Sequence, residues 1–165
     1  MLGMPNIRIK NVLFIDKEGV MSVKILYGTE TGNSEDLANQ ACEVLKKNEI
    51  DSEVLDMSNV SLNDLKKYQK AIIITSTWGD GDAPSNAIEL LDALKSENTK
   101  CLSELHYAVF GIGESIYDHF CQAAIDFDDA LENLGAKRLE NVEKSEDDNE
   151  SNLNDWLSKI INKLK

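Results

Sequence analysis

The run Ala71-Ile72-Ile73-Ile74-Thr75-Ser76 constrains the fold more than any other stretch. It is continuous and rich in β-branched residues, without the apolar–polar alternation of a strand that faces water on one side. Such a run reads as a central strand covered on both faces, the situation of a parallel sheet. Parallel neighbours need crossover connections, usually helices, and the flanking sequence provides them. Residues 23–27 and 107–110 are further apolar strand candidates, 52–57 a second strand, and 138–142 a fifth. Between them, Leu37, Ala41, Val44 and Leu45 recur at helical spacing, with Ser34 as the expected N-cap. Residues 87–94 read as a helix starting near Pro84 and Ser85. Phe120, Ala124, Phe127, Leu131 and Leu134 mark another, stopped by Gly135, and Leu153, Trp156, Leu157, Ile160, Ile161 and Leu164 mark the last. Residues 63–70 are ambiguous between turn and short helix. The expectation is an α/β fold, a three-layer, doubly wound, five-stranded parallel sheet.

The chain of 165 residues is long enough for one domain with a sizeable core, expected over residues 21–165. Residues 1–20 stand apart and are expected to be an N-terminal extension or leader without a catalytic role. Its short apolar run is followed by acids rather than by a cleavage site. The net charge of −13 disfavours nucleic acid and anionic membrane surfaces as partners. Cys42, Cys101 and Cys121 form no C-x-x-C pair, and His106 and His119 are the only histidines, so no zinc site or disulfide framework is expected. No apolar run approaches a membrane span, and the expected setting is the cytoplasm.

In doubly wound sheets ligands sit beyond the carboxyl ends of the strands. Three loops follow apolar strands here, and all three belong on that edge. The first, Gly28-Thr29-Glu30-Thr31-Gly32-Asn33-Ser34, leads into a helix N-terminus, where unpaired N–H groups and the helix dipole favour an anion. Its two glycines are too close for a nucleotide-triphosphate loop, and Asn33 stands where that loop has lysine. Hydroxyls of Thr29, Thr31 and Ser34 and the amides of residues 30–34 suit a monophosphate held by neutral dipoles; the alternative is a plain capped helix. The second loop is Ser76-Thr77-Trp78-Gly79-Asp80-Gly81. A tryptophan at a strand exit, before glycines free to adopt positive φ, can cover one face of a planar ligand or fold over a neighbouring helix. In the third, Gly111 and Gly113 allow close backbone approach, and Tyr117 offers a second aromatic plane or merely starts the next helix. A planar heterocycle bearing a phosphate satisfies all three.

These loops resemble those of the flavodoxin family. The T-x-T-G-N-[ST] loop stands at 29–34, S-T-W-G-D-G at 76–81, and G-x-G-x-x-x-Y-[DE]-x-F-C at 111–121, ending in Tyr117, Asp118, Phe120 and Cys121. The likeness covers residues 21–165 and extends to the FMN domains of diflavin reductases. It implies a flavodoxin-like fold with FMN as cofactor, its phosphate on Thr29, Glu30, Thr31, Gly32, Asn33 and Ser34. Trp78 and Tyr117 then flank the ring, Gly79 contacts its N5, and Asp118 helps hold it. Ser76, Thr77, Asp80, Gly81, Gly111, Gly113, Phe120 and Cys121 complete the implied cofactor-binding set, with no catalytic residue and no metal.

The implied function is a low-potential electron carrier. It is expected to be monomeric and free-standing, because no FAD or nicotinamide domain follows. It would shuttle single electrons between an NAD(P)H-dependent flavodoxin reductase and acceptor enzymes that dock through basic surfaces. The alternative is an FMN-dependent reductase component acting with a dedicated partner enzyme. Two further classes fit less well: a flavin enzyme acting directly on a small molecule lacks a general acid other than His119, and a phospho-acceptor receiver lacks the acidic cluster after its first strand.

Overall fold

A computed structural model describes residues 22–146 and 150–165. The expected leader, residues 1–20, lies outside the described residues. In chain order the elements are β1 (Val23–Gly28), α1 (Asn33–Lys47), β2 (Ser52–Asp56), α2 (Leu62–Leu65), β3 (Lys70–Ser76), α3 (Ile88–Ser96), β4 (His106–Gly113), α4 (Gln122–Asn133), β5 (Lys137–Arg138), β6 (Glu143–Glu146) and α5 (Glu150–Leu164). A 3-10 turn at Met57–Asn59 follows β2, and the ambiguous stretch 63–70 resolves into the rest of the short α2 and a turn leading to β3, with α2 fixed by a reciprocal capping box between Ser61 and Asp64.

The strand order is β2-β1-β3-β4-β5, all parallel. β5 and β6 lie end to end along the same edge of β4: His106 and Tyr107 pair with β5, while residues 110–113 pair with β6. The sheet therefore has five strand positions, the last one interrupted. This corrects the expected strand at 138–142, since most of that segment forms the break. The polar residues just after it, to which the sequence pattern assigns no element, form β6 over Glu143–Glu146. Only Ser145 of β6 is buried, so an edge strand here carries no apolar signature.

β3 occupies the centre, as its unbroken apolar run requires. Residues 71–75 are buried, and Ile72 and Ile74 point to one face while Ile73 points to the other. On the first face α1 and α5 cover the sheet, with Leu37, Ala41, Leu45, Trp156, Leu157 and Ile160 in one apolar layer; Phe110 and Trp156 meet with ring centroids 5.4 Å apart. On the second face α3 and α4 do the same through Leu90, Leu94, Phe127 and Leu131. A polar cluster pins α4 to the β4 edge: Arg138 holds the Asp128 carboxylate with two hydrogen bonds of 2.8 and 2.6 Å, and the Tyr107 hydroxyl donates to Asp128 at 2.8 Å. The order reverses between β1 and β3, so their carboxyl ends open a crevice there.

Candidate functional site

All three glycine- and hydroxyl-rich loops leave the sheet on the edge where that crevice lies. They enclose a cleft of about 440 Å³, whose wall takes residues from each loop.

The first loop contributes Glu30, Thr31 and Asn33. Gly32, with φ 99°, is the N-cap of α1 and has no side-chain cap, so Ser34 is not the cap that its residue type suggests. It lies two positions inside the helix, fully buried, and its Oγ has no hydrogen-bond partner among the described residues. A buried hydroxyl left unserved is unfavourable by about 1–3 kcal/mol, so such groups are normally satisfied. The Thr29 hydroxyl oxygen accepts the Gly32 N–H at 2.7 Å, which takes that amide out of the expected convergent set. Asn33 and Ser34 are the first two helical residues, and their N–H groups have no acceptor inside the helix. The cleft wall at the start of α1 thus carries no cation, and the unpaired amides there, with the spare Ser34 hydroxyl buried beside Asn33, have the chemistry of a receptor for a small anion.

The second loop contributes Ser76, Thr77, Trp78, Gly79 and Asp80. It closes on itself: the Trp78 N–H donates to the Asp82 carbonyl at 2.7 Å and the Asp82 N–H returns to Trp78 at 2.8 Å. So tight a turn requires positive φ at Gly79 (56°) and Gly81 (106°). The Thr77 hydroxyl accepts the Ala123 N–H at 3.0 Å, anchoring the loop to the start of α4. Trp78 consequently stands out from the surface, 56% exposed, rather than folding over a helix.

The third loop adds Ile112, Gly113, Glu114 and Tyr117, the last 59% exposed. The Ser115 N–H donates to the Glu146 carboxylate at 3.2 Å and its hydroxyl does the same, tying this loop to the end of β6. Two large aromatic rings thus border one cleft while remaining accessible, at a cost in apolar exposure that a plain surface turn would not incur.

The remaining candidates have other places. Gly111 does not approach the cleft: a Cβ there would lie 2.6 Å from that of Ala124, so this glycine lets α4 pack on β4. Cys121 is buried against Gly111 and Gly113, and burial raises its thiol to about 11. Gly81 packs on His119, and Thr29, Gly32, Ser34, Asp118 and Phe120 are absent from the cleft wall. The sequence reading missed the supports behind the loops. Asn86 and Ser85 bind the first loop from outside, Asp56 accepts from Asn86 behind it, and Glu146 binds the third. The helix expected to start near Pro84 and Ser85 instead has Ala87 as its N-cap, without a side-chain cap, which leaves Ser85 and Asn86 to the first loop. Burial opposes ionisation of Asp56, but hydrogen bonds from Ser58, Asn86 and Tyr27 outweigh it and hold the carboxyl below its ordinary range. Among the described residues no group of acids, histidines and cysteines could hold a metal, and no helix is long and apolar enough to cross a membrane.

Known proteins share this architecture and sequence. The flavodoxin from Streptococcus pneumonia TIGR4 superposes with a TM-score of 0.75 at 29% identity, over 86% of this chain and 96% of that one. Oxidised flavodoxin 1 from Bacillus cereus gives 0.75 at 25% identity, over 87% of this chain and 99% of that one. Curated relatives include the sulfite reductase [NADPH] flavoprotein alpha-component of Shewanella sp. strain MR-7, 35% identical over 91% of this chain and 25% of that protein. That of Bacillus subtilis strain 168 is 34% identical over 86% and 24%. The chain thus spans about a quarter of the length of these relatives. The flavodoxin family model matches residues 25–158, and the chain belongs to that family of FMN-binding electron-transfer proteins.

Proposed function

We propose that the chain is a low-potential electron carrier that holds one FMN in the cleft. In this reading it passes electrons singly between an NAD(P)H-dependent reductase and acceptor redox enzymes. The observation that carries the proposal is a cleft bordered by two exposed aromatic rings and by Asn33 at the start of α1, next to which the buried Ser34 hydroxyl has no partner among the described residues. A flat ring with an anionic tail serves all three groups at once.

When bound, FMN supplies a ring that accepts and releases electrons, which no side chain here can do. Everything else falls to the protein. The hydroxyls of Thr31 and Ser34 and the free amides of residues 30, 31, 33 and 34 would hold the phosphate, with Thr29 shaping the turn by binding the Gly32 amide. Trp78 and Tyr117 cover the ring faces and exclude water from them. Glu30, Asp80 and Glu114 put carboxylates on the cleft wall, so added negative charge there is unfavourable and the potential falls. Gly79 sits on the cleft wall at φ 56°, a conformation glycine adopts without strain, so its peptide to Asp80 would be the backbone group nearest the ring edge in this reading. Ile88 and Ile116 are exposed around this acidic mouth, and the charge of −13 favours partners with a basic docking surface.

A second reading follows from the relatives named sulfite reductase flavoprotein: a reductase component serving one dedicated partner enzyme. One anaerobic experiment separates these. The carrier reading expects a yellow chain with one FMN, reduced by NADPH only when a separate flavoprotein reductase is added, and reoxidised by several acceptors. Direct reduction by NADPH contradicts it, and reoxidation by a sulfite-reducing enzyme alone favours the dedicated component.

A further inference from the structure

Asn86 is half-buried behind the first loop and forms no part of the cleft wall. Its Oδ1 accepts the Thr29 N–H at 2.8 Å, while its Nδ2 donates to the Tyr27 carbonyl at 3.2 Å and to Asp56 Oδ1 at 3.1 Å. Only one orientation of the amide meets a donor on one side and two acceptors on the other. A single side chain therefore grips the backbone on both sides of Gly28 and ties it to the end of β2. Gly28 is itself pressed against the segment that carries Asn86, because a Cβ there would lie 2.9 Å from that of Ala87. Ser85 adds a second tie, its N–H and hydroxyl donating to the Glu30 carboxylate at 3.0 and 2.9 Å.

These ties matter because the loop has little internal support. Its own bond is Gly32 N–H to the Thr29 hydroxyl, and α1 begins without a side-chain cap. A loop that must order itself on binding loses affinity to the entropy of ordering, whereas a loop held beforehand does not. By occupying the Thr29 N–H and the Tyr27 carbonyl, Asn86 also decides which backbone donors remain for the cleft.

We propose that Asn86 is the positioning residue of the anion-binding loop. It fixes the amides after Thr29 in the geometry that receives the phosphate end of the cofactor, and touches no ligand itself. This rests on the reading of residues 30–34 as the phosphate site.

The test uses FMN and riboflavin, which share the ring and differ in the phosphate. The flavin-free 165-residue chain is titrated with each, following quenching of flavin fluorescence. The wild-type chain should prefer FMN. Asn86→Ala should lose about tenfold in FMN affinity, the scale of one to two hydrogen bonds, and leave riboflavin affinity unchanged. An FMN preference as large as wild type, or an equal loss for both ligands, overturns the positioning role. A wild-type chain without any preference overturns the phosphate reading and the role of Asn86 with it. Amide hydrogen exchange on the wild-type chain needs no variant. The Thr29 amide should exchange more slowly than that of Thr31 before FMN is added, and equal rates for the two amides overturn the proposal.

Discussion

Ser34→Ala should move stability and affinity in opposite directions. The Ser34 side chain is 0% exposed and its hydroxyl has no partner among the described residues. An unserved buried hydroxyl is unfavourable by about 1–3 kcal/mol, and alanine removes it while leaving a gap of only one oxygen. The flavin-free chain should therefore gain roughly 0.5–2 kcal/mol, which at this chain length raises Tm by about 2–6 °C. With FMN the sign reverses. A hydroxyl donating to a charged phosphate contributes about 1.5–3 kcal/mol, so the variant should bind FMN roughly 10- to 150-fold more weakly. Thermal unfolding of the flavin-free chain and a fluorescence titration with FMN give the two numbers. A variant that is less stable without flavin and binds FMN as tightly as wild type would refute the reasoning, because Ser34 would then be an ordinary core serine.

Four further substitutions test other parts of the structure. Asp80→Asn and Glu114→Gln each remove a carboxylate from the wall of the cleft of about 440 Å³; a charge ~10 Å from a bound ring would contribute on the order of 0.4–1.7 kcal/mol at effective dielectrics of ~80 to ~20. Spectroelectrochemical titration should show the flavin potential rising by roughly 20–70 mV per substitution, and an unchanged potential contradicts the electrostatic account. Gly81→Ala puts a Cβ 3.0 Å from that of His119 at φ 106° and should cost about 1–3 kcal/mol in urea unfolding. Wild-type stability in that variant contradicts the packing of the second loop on the third. The Tyr27 hydroxyl is raised to about 12, by burial and then by the charges of Asp56 and Glu35. The folded value lies above the unfolded one near 10, so the stability it contributes is complete below pH ~10 and lost as pH rises towards 12. Tyr27→Phe should remove a tyrosine that titrates near 12 from an alkaline absorbance titration, and a curve identical to wild type contradicts this.

The sheet and the cleft were legible because their requirements are written in residue types. A strand buried on both faces needs the run at 71–75, and turns at Gly79 and Gly81 need residues that tolerate positive φ. What the sequence hid depended on direction. Ser34 and Gly32 stand two residues apart, and only the geometry of the turn decides which is the cap and which hydroxyl is buried. Gly111 and Gly113 look alike, yet one lies under α4 and the other on the cleft. The interrupted fifth strand was hidden because an edge strand with one buried serine reads as linker. Asn86 was hidden because its partners, Tyr27, Thr29 and Asp56, are 30 to 59 residues away in sequence.

The central claim is that FMN lies in this cleft, with its phosphate on the first loop and its ring between Trp78 and Tyr117. Backbone amide chemical shifts recorded before and after one equivalent of FMN test it directly. The account predicts the largest changes in residues 30–34, 78–81 and 112–117, with riboflavin reproducing the last two sets but not the first. Changes concentrated elsewhere, such as the acidic groove between α3 and α4 lined by Glu97, Asp126 and Asp129, would contradict it.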